Sequence, residues 1–307
     1  MPQPKLSVIL PTYNRAGSLK RALSALLRQH ADPGAYEIIV VDNNSTDGTR
    51  HLVEGLDDSR IRLIAETRQG LSYARNAGLD AARAPLVAFT DDDVEVAPDW
   101  VTTIITTLDA HREIDGLGGR VLPAWENGRP RWLTREHWAP LALQDHGDAR
   151  RTFDKQTPIG LIGANVAFRR RVFDQVGPFS PAVQRVKDGI GSTEDHELLT
   201  RLYDRGGRML YHPRMLVLAR VQSDRCDRRY HRRWHEGHGR FYALMRRPEI
   251  ERARVSPFGI PGHLLREAVR DVAAWVTSAA AADWDRAFLA ELRLRFLKGF
   301  VWTRLAH

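Results

Sequence analysis

The sequence predicts an α/β protein: a mostly parallel sheet flanked by helices, followed by a mostly helical C-terminal extension. Three observations predict it. Short, nearly uninterrupted apolar runs alternate with segments of helical spacing through the first hundred residues, and strands of that kind are buried on both faces of a parallel sheet. Each apolar run then opens into a polar cluster, at the carboxyl ends of strands where such sheets hold ligands. From about residue 222 onward the chain reads as helical and basic.

The elements follow in order. Leu6-Ser7-Val8-Ile9-Leu10 is a buried strand stopped by Pro11. Leu19, Leu23, Leu26 and Leu27 give residues 16–29 one apolar helical face. Residues 37–41, 61–64 and 86–89 are three more apolar strands, with a helix over 71–82 between the last two. A helix near 98–110 and a strand near 116–121 come next. Residues 123–157, with Trp125, Trp132 and Trp138, form a long irregular stretch, read as a functional loop or lid whose tryptophans either face an acceptor or only anchor it to the core. Order returns at 160–168. A helix begins near Thr193, capped by Ser192 or Thr193, and a strand near 208–211 follows it. The expected division is a catalytic domain over 1–213 and a basic extension over 214–307.

Bulk properties narrow the classes. The 307 residues carry one cysteine, Cys226, which excludes a disulfide framework within the chain and points to a reducing, cytoplasmic setting. The first residues lack a signal-peptide pattern, and no run is long and apolar enough to span a bilayer. The net charge of +8 is uneven: residues 214–307 hold 19 Lys and Arg against 10 Asp and Glu. A basic tail of this kind fits an anionic partner.

The strand exits carry the chemistry. The first strand leads into Pro11-Thr12-Tyr13-Asn14-Arg15, the second into Asp42-Asn43-Asn44-Ser45, and the fourth into Asp91-Asp92-Asp93. Neither a G-x-x-x-x-G-K-[ST] loop nor a G-x-G-x-x-G turn is present. Three adjacent carboxylates repel one another and are costly to bury. A divalent cation among them removes that cost, since Mg²⁺ and Mn²⁺ take one or two carboxylates together with substrate phosphates. The plainer alternative is an acidic turn that caps the next helix. Asp42 fits either a base or ribose contact or an Asx-turn, and Arg75 either the same edge or a solvated helix face.

Six segments in order, "PTYNR" at 11–15, "VVDNNSTDGT" at 40–49, "ARNAGLDAA" at 74–82, "FTDDDV" at 89–94, "GANVAFRR" at 163–170 and "TEDHELLTR" at 193–201, resemble the family 2 glycosyltransferases of the Rossmann-like GT-A fold. The resemblance covers roughly residues 5–213. It implies an inverting transfer from a nucleoside-diphosphate sugar, UDP-linked by preference, with Mg²⁺ or Mn²⁺ as cofactor and a glycan or lipid-linked acceptor. It implies that Pro11, Tyr13, Arg15, Asp42, Asn44, Arg75, Asp91 and Asp92 hold the donor and that Asp91 and Asp93 hold the metal. Gly163, Asn165 and Glu194 would line the acceptor side, and Asp195 would be the general base; Trp132 is added to the acceptor side from its aromatic stretch rather than from the resemblance. A base must face away from the diphosphate, so a segment separate from the metal ligands suits it. One departure stands out. Where many relatives carry a metal-completing histidine, this sequence has Ala219, with His212 and Arg220 as nearby candidates to assist the diphosphate.

The basic run from Arg220 to Arg254 is interleaved with Tyr230, Trp234, Phe241 and Tyr242. Such interleaving suits single-stranded nucleic acid or a membrane interface. The family resemblance favours an anionic membrane on its cytoplasmic face over nucleic acid. Phe288, Leu292, Phe296, Phe300 and Leu305 add an apolar stripe, expected to dock on the catalytic domain or to insert in an interface. Two further functions are open at this point: a catalytically inert glycan- or lipid-binding relative, and a Mg²⁺ phosphotransferase with an aspartyl nucleophile, whose motif lacks its threonine here.

Overall fold

The structure, a computed structural model, describes residues 3–184, 193–245 and 259–306. It divides into two compact units, one of residues 1–126, 142–187 and 194–221 and the other of residues 127–141, 188–193 and 222–307.

The first unit is built on one sheet. Its strands are β1 (Leu6–Thr12), β2 (Tyr36–Asp42), β3 (Ile61–Ala65), β4 (Leu86–Thr90), β5 (Val94–Val96), β6 (Gly116–Trp125), β7 (Arg151–Phe153), β8 (Asn165–Arg169) and β9 (Met209–Val221). They lie in the order β3-β2-β1-β4-β8-β6-β9-β5, with β7 paired to β9. The first four strands are parallel, as their apolar runs predict. Antiparallel β8 then turns the sheet mixed. Helices α1 (Ala16–Leu27), α2 (Thr49–Glu54), α3 (Leu71–Ala81), α4 (Trp100–Ala110), α5 (Arg171–Val176) and α6 (Glu194–Asp204) flank it.

β1, β2 and β4 are buried along their whole length. Each fully buried Leu, Ile, Val or Phe there contributes about 1.5–3 kcal/mol. Helix α3 sits close on β1 because Gly78 has no Cβ; one would lie 2.4 Å from Ile9 Cγ2. Beneath α6, Phe89 meets Phe168, Phe173 and Phe179 edge to face.

Two expectations need correction, and a third falls outside the described residues. The strand expected at 208–211 is β9, which runs past residue 213 to Val221. Pro213 and Arg214 break its apolar run in the sequence. In the sheet they fall where the pairing with β6 jumps from Gly119–His212 to Arg120–Leu216, a bulge that tolerates proline. The stretch 123–157 is not one long loop. β6 continues to Trp125, two short 3₁₀ turns follow, and β7 rejoins the sheet. The expected cap Ser192 lies outside the described residues.

The second unit contains α7 (Arg228–Met245), α8 (Gly262–Ala280) and α9 (Trp284–Ala306). α7 and α9 cross at glycines: a Cβ on Gly239 would lie 2.0 Å from the Phe296 carbonyl oxygen, and one on Gly299 would lie 1.9 Å from that of Glu236. Phe288, Leu292 and Phe300 are buried. Of the stripe expected to dock or to lie in an interface, these three residues pack inside the helical unit, while Leu305 is 65% exposed. The part of the basic run from Arg246 to Arg254 lies outside the described residues.

Candidate active site

The exits of β1, β2 and β4 are laced together by side chains. Asn14, in the left-handed region at φ 51°, accepts from the Thr46 N–H at 2.6 Å and the Asp47 N–H at 3.3 Å. That conformation suits asparagine among non-glycine residues. The turn presents Arg15 to the acid cluster. Its Nη1 donates to Asp93 Oδ2 at 2.7 Å and to Asp92 Oδ1 at 3.2 Å. Thr12 Oγ1 donates to Asp92 Oδ2 at 2.7 Å.

The three aspartates are thereby told apart. Asp92 points inward and is buried; burial, against the pull of Arg15, pushes its carboxyl up to about 7. Burial works against the Arg15 charge, but Asp92 and Asp93 outweigh it and hold the guanidinium firmly protonated. Asp91, 29% exposed at its side chain, and Asp93 keep the outer positions.

Arg75 is not a solvated helix arginine. Its side chain is 2% exposed. Nη1 donates to Glu194 Oε1 at 2.8 Å and Nη2 to Asp91 Oδ1 at 3.4 Å, while the guanidinium lies over the Phe179 ring. It is a buried strut between the acid cluster and the start of α6. Burial opposes its charge, and Glu194 and then Asp91 reverse that effect. Glu194 is the other half of this buried pair, so its side chain faces the core.

Asp195 follows directly. Its Oδ2 accepts the Gly163 N–H at 2.9 Å and its Oδ1 the His196 N–H at 2.8 Å. Gly163 is required here, since a Cβ would lie 2.6 Å from Arg75 Nη2. The residue thus admits the strut with its α-carbon and holds Asp195 with its N–H.

Asn165 lies elsewhere than expected. It is fully buried, accepting from Trp100 Nε1 and donating to the Arg120 and Met215 carbonyls. Its amide braces β6, β8 and β9 from within, leaving no group for an acceptor. Trp132 belongs to the second unit, where its ring meets His137, His231 and Phe288 edge to face. Asp42 forms the Asx-turn, Oδ1 accepting the Ser45 N–H at 2.9 Å. Asn44 is exposed in the left-handed region at φ 67°. Pro11 is buried in β1, and Tyr13 stands partly exposed just past it.

Ala219 pairs with Val94, and the Arg220 N–H donates to the Asp93 carbonyl. The position expected to lack a ligand is therefore beside the acid cluster. Arg220 itself pairs with Glu126 at 2.8 Å. His212 is buried at the far end of β9, where burial and then Arg150 and Arg214 hold it neutral, with a pKa of about 4. It takes no part in the cluster. Among the described residues no three His, Cys, Asp or Glu side chains are arranged as a metal cage. The donor set still suits a hard cation that draws its remaining ligands from phosphate and water.

Residues 7–177 match the sequence profile of glycosyl transferase family 2. The chain belongs to that family. Among curated relatives, this glycosyltransferase is 27% identical over 228 residues to the glucosyl-dolichyl phosphate glucuronosyltransferase of Haloferax volcanii, covering 73% of this chain and 71% of that protein. It is 42% identical over 106 residues to the GalNAc(5)-diNAcBac-PP-undecaprenol beta-1,3-glucosyltransferase of Campylobacter jejuni, covering 33% of this chain and 34% of that one. Of solved structures, the mannosyltransferase PcManGT of Pyrobaculum calidifontis, in complex with GDP-Man and Mn²⁺, superposes with a TM-score of 0.64 at 22% identity, over 99% of this chain and 88% of its own. S. aureus TarS 1-349 with UDP-GlcNAc gives 0.58 at 17%, over 95% and 91%. The fold is GT-A.

Sequence reasoning missed Thr12 as the group that turns Asp92 inward, and the pairing of Arg75 with Glu194. No spacing signals either contact, which joins residues 119 apart in the second case.

Proposed function

We propose that this family 2 glycosyltransferase moves a sugar from a nucleoside-diphosphate sugar to a hydroxyl of a glycan or lipid-linked acceptor, with inversion at the anomeric carbon. UDP-sugars are the favoured donors. The observation that carries the reading is the placement of Asp91 and Glu194 on the two arms of one buried guanidinium, with Asp195 next in the chain to Glu194 and held by the Gly163 N–H. Carboxylates of two distant segments are thereby fixed at one site, as a donor side and a base side require.

Asp91 and Asp93 would hold Mg²⁺ or Mn²⁺, which when bound neutralises the diphosphate leaving group. Arg15 holds Asp92 and Asp93 in place before donor arrives. Tyr13, Asp42 and Asn44 lie at the exits where the nucleoside would bind. Asp195, fixed by the Gly163 N–H, takes the proton of the acceptor hydroxyl as its oxygen bonds to the anomeric carbon. The bond to the diphosphate oxygen breaks in the same step, and the nucleoside diphosphate leaves with that electron pair.

Intact Asp91, Asp93 and Asp195 speak against an inert relative. Two relatives are named for dolichyl phosphate and PP-undecaprenol, which supports a lipid-linked acceptor and a place at a membrane surface. Among the described residues no helix is long and apolar enough to cross one. A thermal-shift panel of UDP, GDP and dTDP with and without Mn²⁺ tests the donor side, because a ligand that binds only the folded state raises Tm. No Mn²⁺-dependent rise with any of the three would overturn the reading.

A further inference from the structure

Helix α8 turns its apolar face outward. Val269, Val272 and Val276 are 71, 50 and 52% exposed. With Ala273 they recur at spacings of three, four and seven, which places them on one side of the helix. The opposite side is the packed one: Ser278 is buried and Asp271 pairs with Arg293 of α9. Exposed β-branched residues in a continuous stripe need an occupant, unlike scattered surface ones.

The surroundings say which. Arg266 and Arg270 border the stripe, and neither has an acidic partner among the described residues. No carboxylate lies on the stripe itself, since Glu267 and Asp271 fall on the other side of the helix. Trp275 flanks it at 42% exposure, and Trp284 opens α9 beyond a short turn at 61% exposure. Tryptophan at an apolar boundary and arginine beside it are the residues of a membrane–water interface.

We infer that the outward face of α8 is a membrane-docking surface for anionic lipid bilayers, with Val269, Val272 and Val276 in the acyl boundary and Arg266 and Arg270 on the headgroups. The inference deepens the reading of a lipid-linked acceptor and gives the chain a fixed contact with the surface that carries it. It differs from the expectation drawn from the 288–305 stripe, whose core-facing residues are buried within the helical unit.

The test is co-sedimentation of the full chain with phosphatidylcholine vesicles containing about 30 mol% phosphatidylglycerol, without nucleotide or acceptor. Wild type should bind these and bind plain phosphatidylcholine far less. Val269→Asp/Val276→Asp should lower the bound fraction roughly tenfold, and Arg266→Gln/Arg270→Gln should remove the preference for anionic lipid. All four positions are exposed, and unchanged Tm would show that both variants fold. Wild type that stays in solution overturns the inference, as do variants that bind like wild type. A concentration-dependent dimer that Val269→Asp/Val276→Asp abolishes also overturns it, because the face would then belong to a second copy. Because donor and acceptor are absent, failure here leaves glycosyl transfer standing, and failed turnover leaves membrane docking standing.

Discussion

Arg75 holds two carboxylates at once, Glu194 through Nη1 at 2.8 Å and Asp91 through Nη2 at 3.4 Å. A fork with separate donor arms makes this possible; an ammonium has no such geometry. Both Arg75 and Glu194 are nearly fully buried, so removing one leaves an uncompensated charge.

Arg75→Met should destabilise the first unit by about 3–5 kcal/mol, the cost of breaking a buried pair from one side. Glu194→Gln keeps a hydrogen-bond acceptor and leaves Asp91 facing the guanidinium, so it should fold. Its expected effect is a fall in kcat with little change in donor KM, because it loosens the mount of Asp195. Urea unfolding and steady-state kinetics check the two. Equal loss in kcat and donor affinity would place Glu194 on the donor side instead.

The acid cluster predicts a metal requirement shared with substrate. Asp93→Asn should abolish Mn²⁺-dependent affinity for nucleoside diphosphate. Ala219→His should do the reverse and tighten Mn²⁺ binding, by roughly ten-fold as one more ligand of good geometry allows. Position 219 lies opposite Val94 and next to the Asp93 carbonyl contact. Calorimetric titration with Mn²⁺ and UDP reads both. Nucleotide affinity unchanged in Asp93→Asn would contradict the metal role.

Much of this was legible in the sequence. Continuous apolar runs report two-sided burial directly, so β1 to β4 and the polar exits could be placed. So could Asp195, on a separate segment from Asp91 to Asp93. What could not be read were the contacts that decide a side chain's direction. Arg75 and Asn165 belong to motifs that pointed to ligand binding, yet Arg75 forms a buried ion pair and Asn165 braces three strands from inside. Periodicity places a residue near an edge; whether it faces in or out depends on partners about fifty to a hundred and twenty residues away. Trp132 was open between facing an acceptor and anchoring its stretch, and its ring contacts with His137, His231 and Phe288 support the anchoring reading. A proline- and glycine-bearing stretch looks like a loop even when leucines such as Leu133, Leu141 and Leu143 are buried.

Trp132→Ala should therefore act on stability. Its ring contacts His137, His231 and Phe288, with the Arg228 guanidinium over it. Loss of a packed tryptophan costs about 3–5 kcal/mol. Acceptor KM should change no more than donor KM in the fraction that remains folded. A selective rise in acceptor KM with unchanged stability would restore the acceptor-loop reading.

The second unit should also weaken in acid. His231 and His235 each have a pKa lowered from 6.5 to about 4, by burial and then by neighbouring His137 and, for His231, His235. The His231 ring is held neutral with Nε2 donating to the Arg225 carbonyl. The unfolded chain takes up these protons near 6.5, the folded chain only near 4. Stability from both rings is complete above 6.5 and lost as pH falls toward 4. Unfolding followed across that window should show a slope that His235→Gln reduces. The same slope in wild type and variant would contradict it.

The central claim rests on Asp195. The most direct measurement compares wild type with Asp195→Asn for release of nucleoside diphosphate from a sugar donor, alongside the Kd of that nucleotide with Mn²⁺. The account predicts turnover lower by roughly a hundredfold or more, with Kd near that of wild type. Turnover retained, or nucleotide binding lost, would contradict it: the first would make another group the base, and the second would put Asp195 on the donor side.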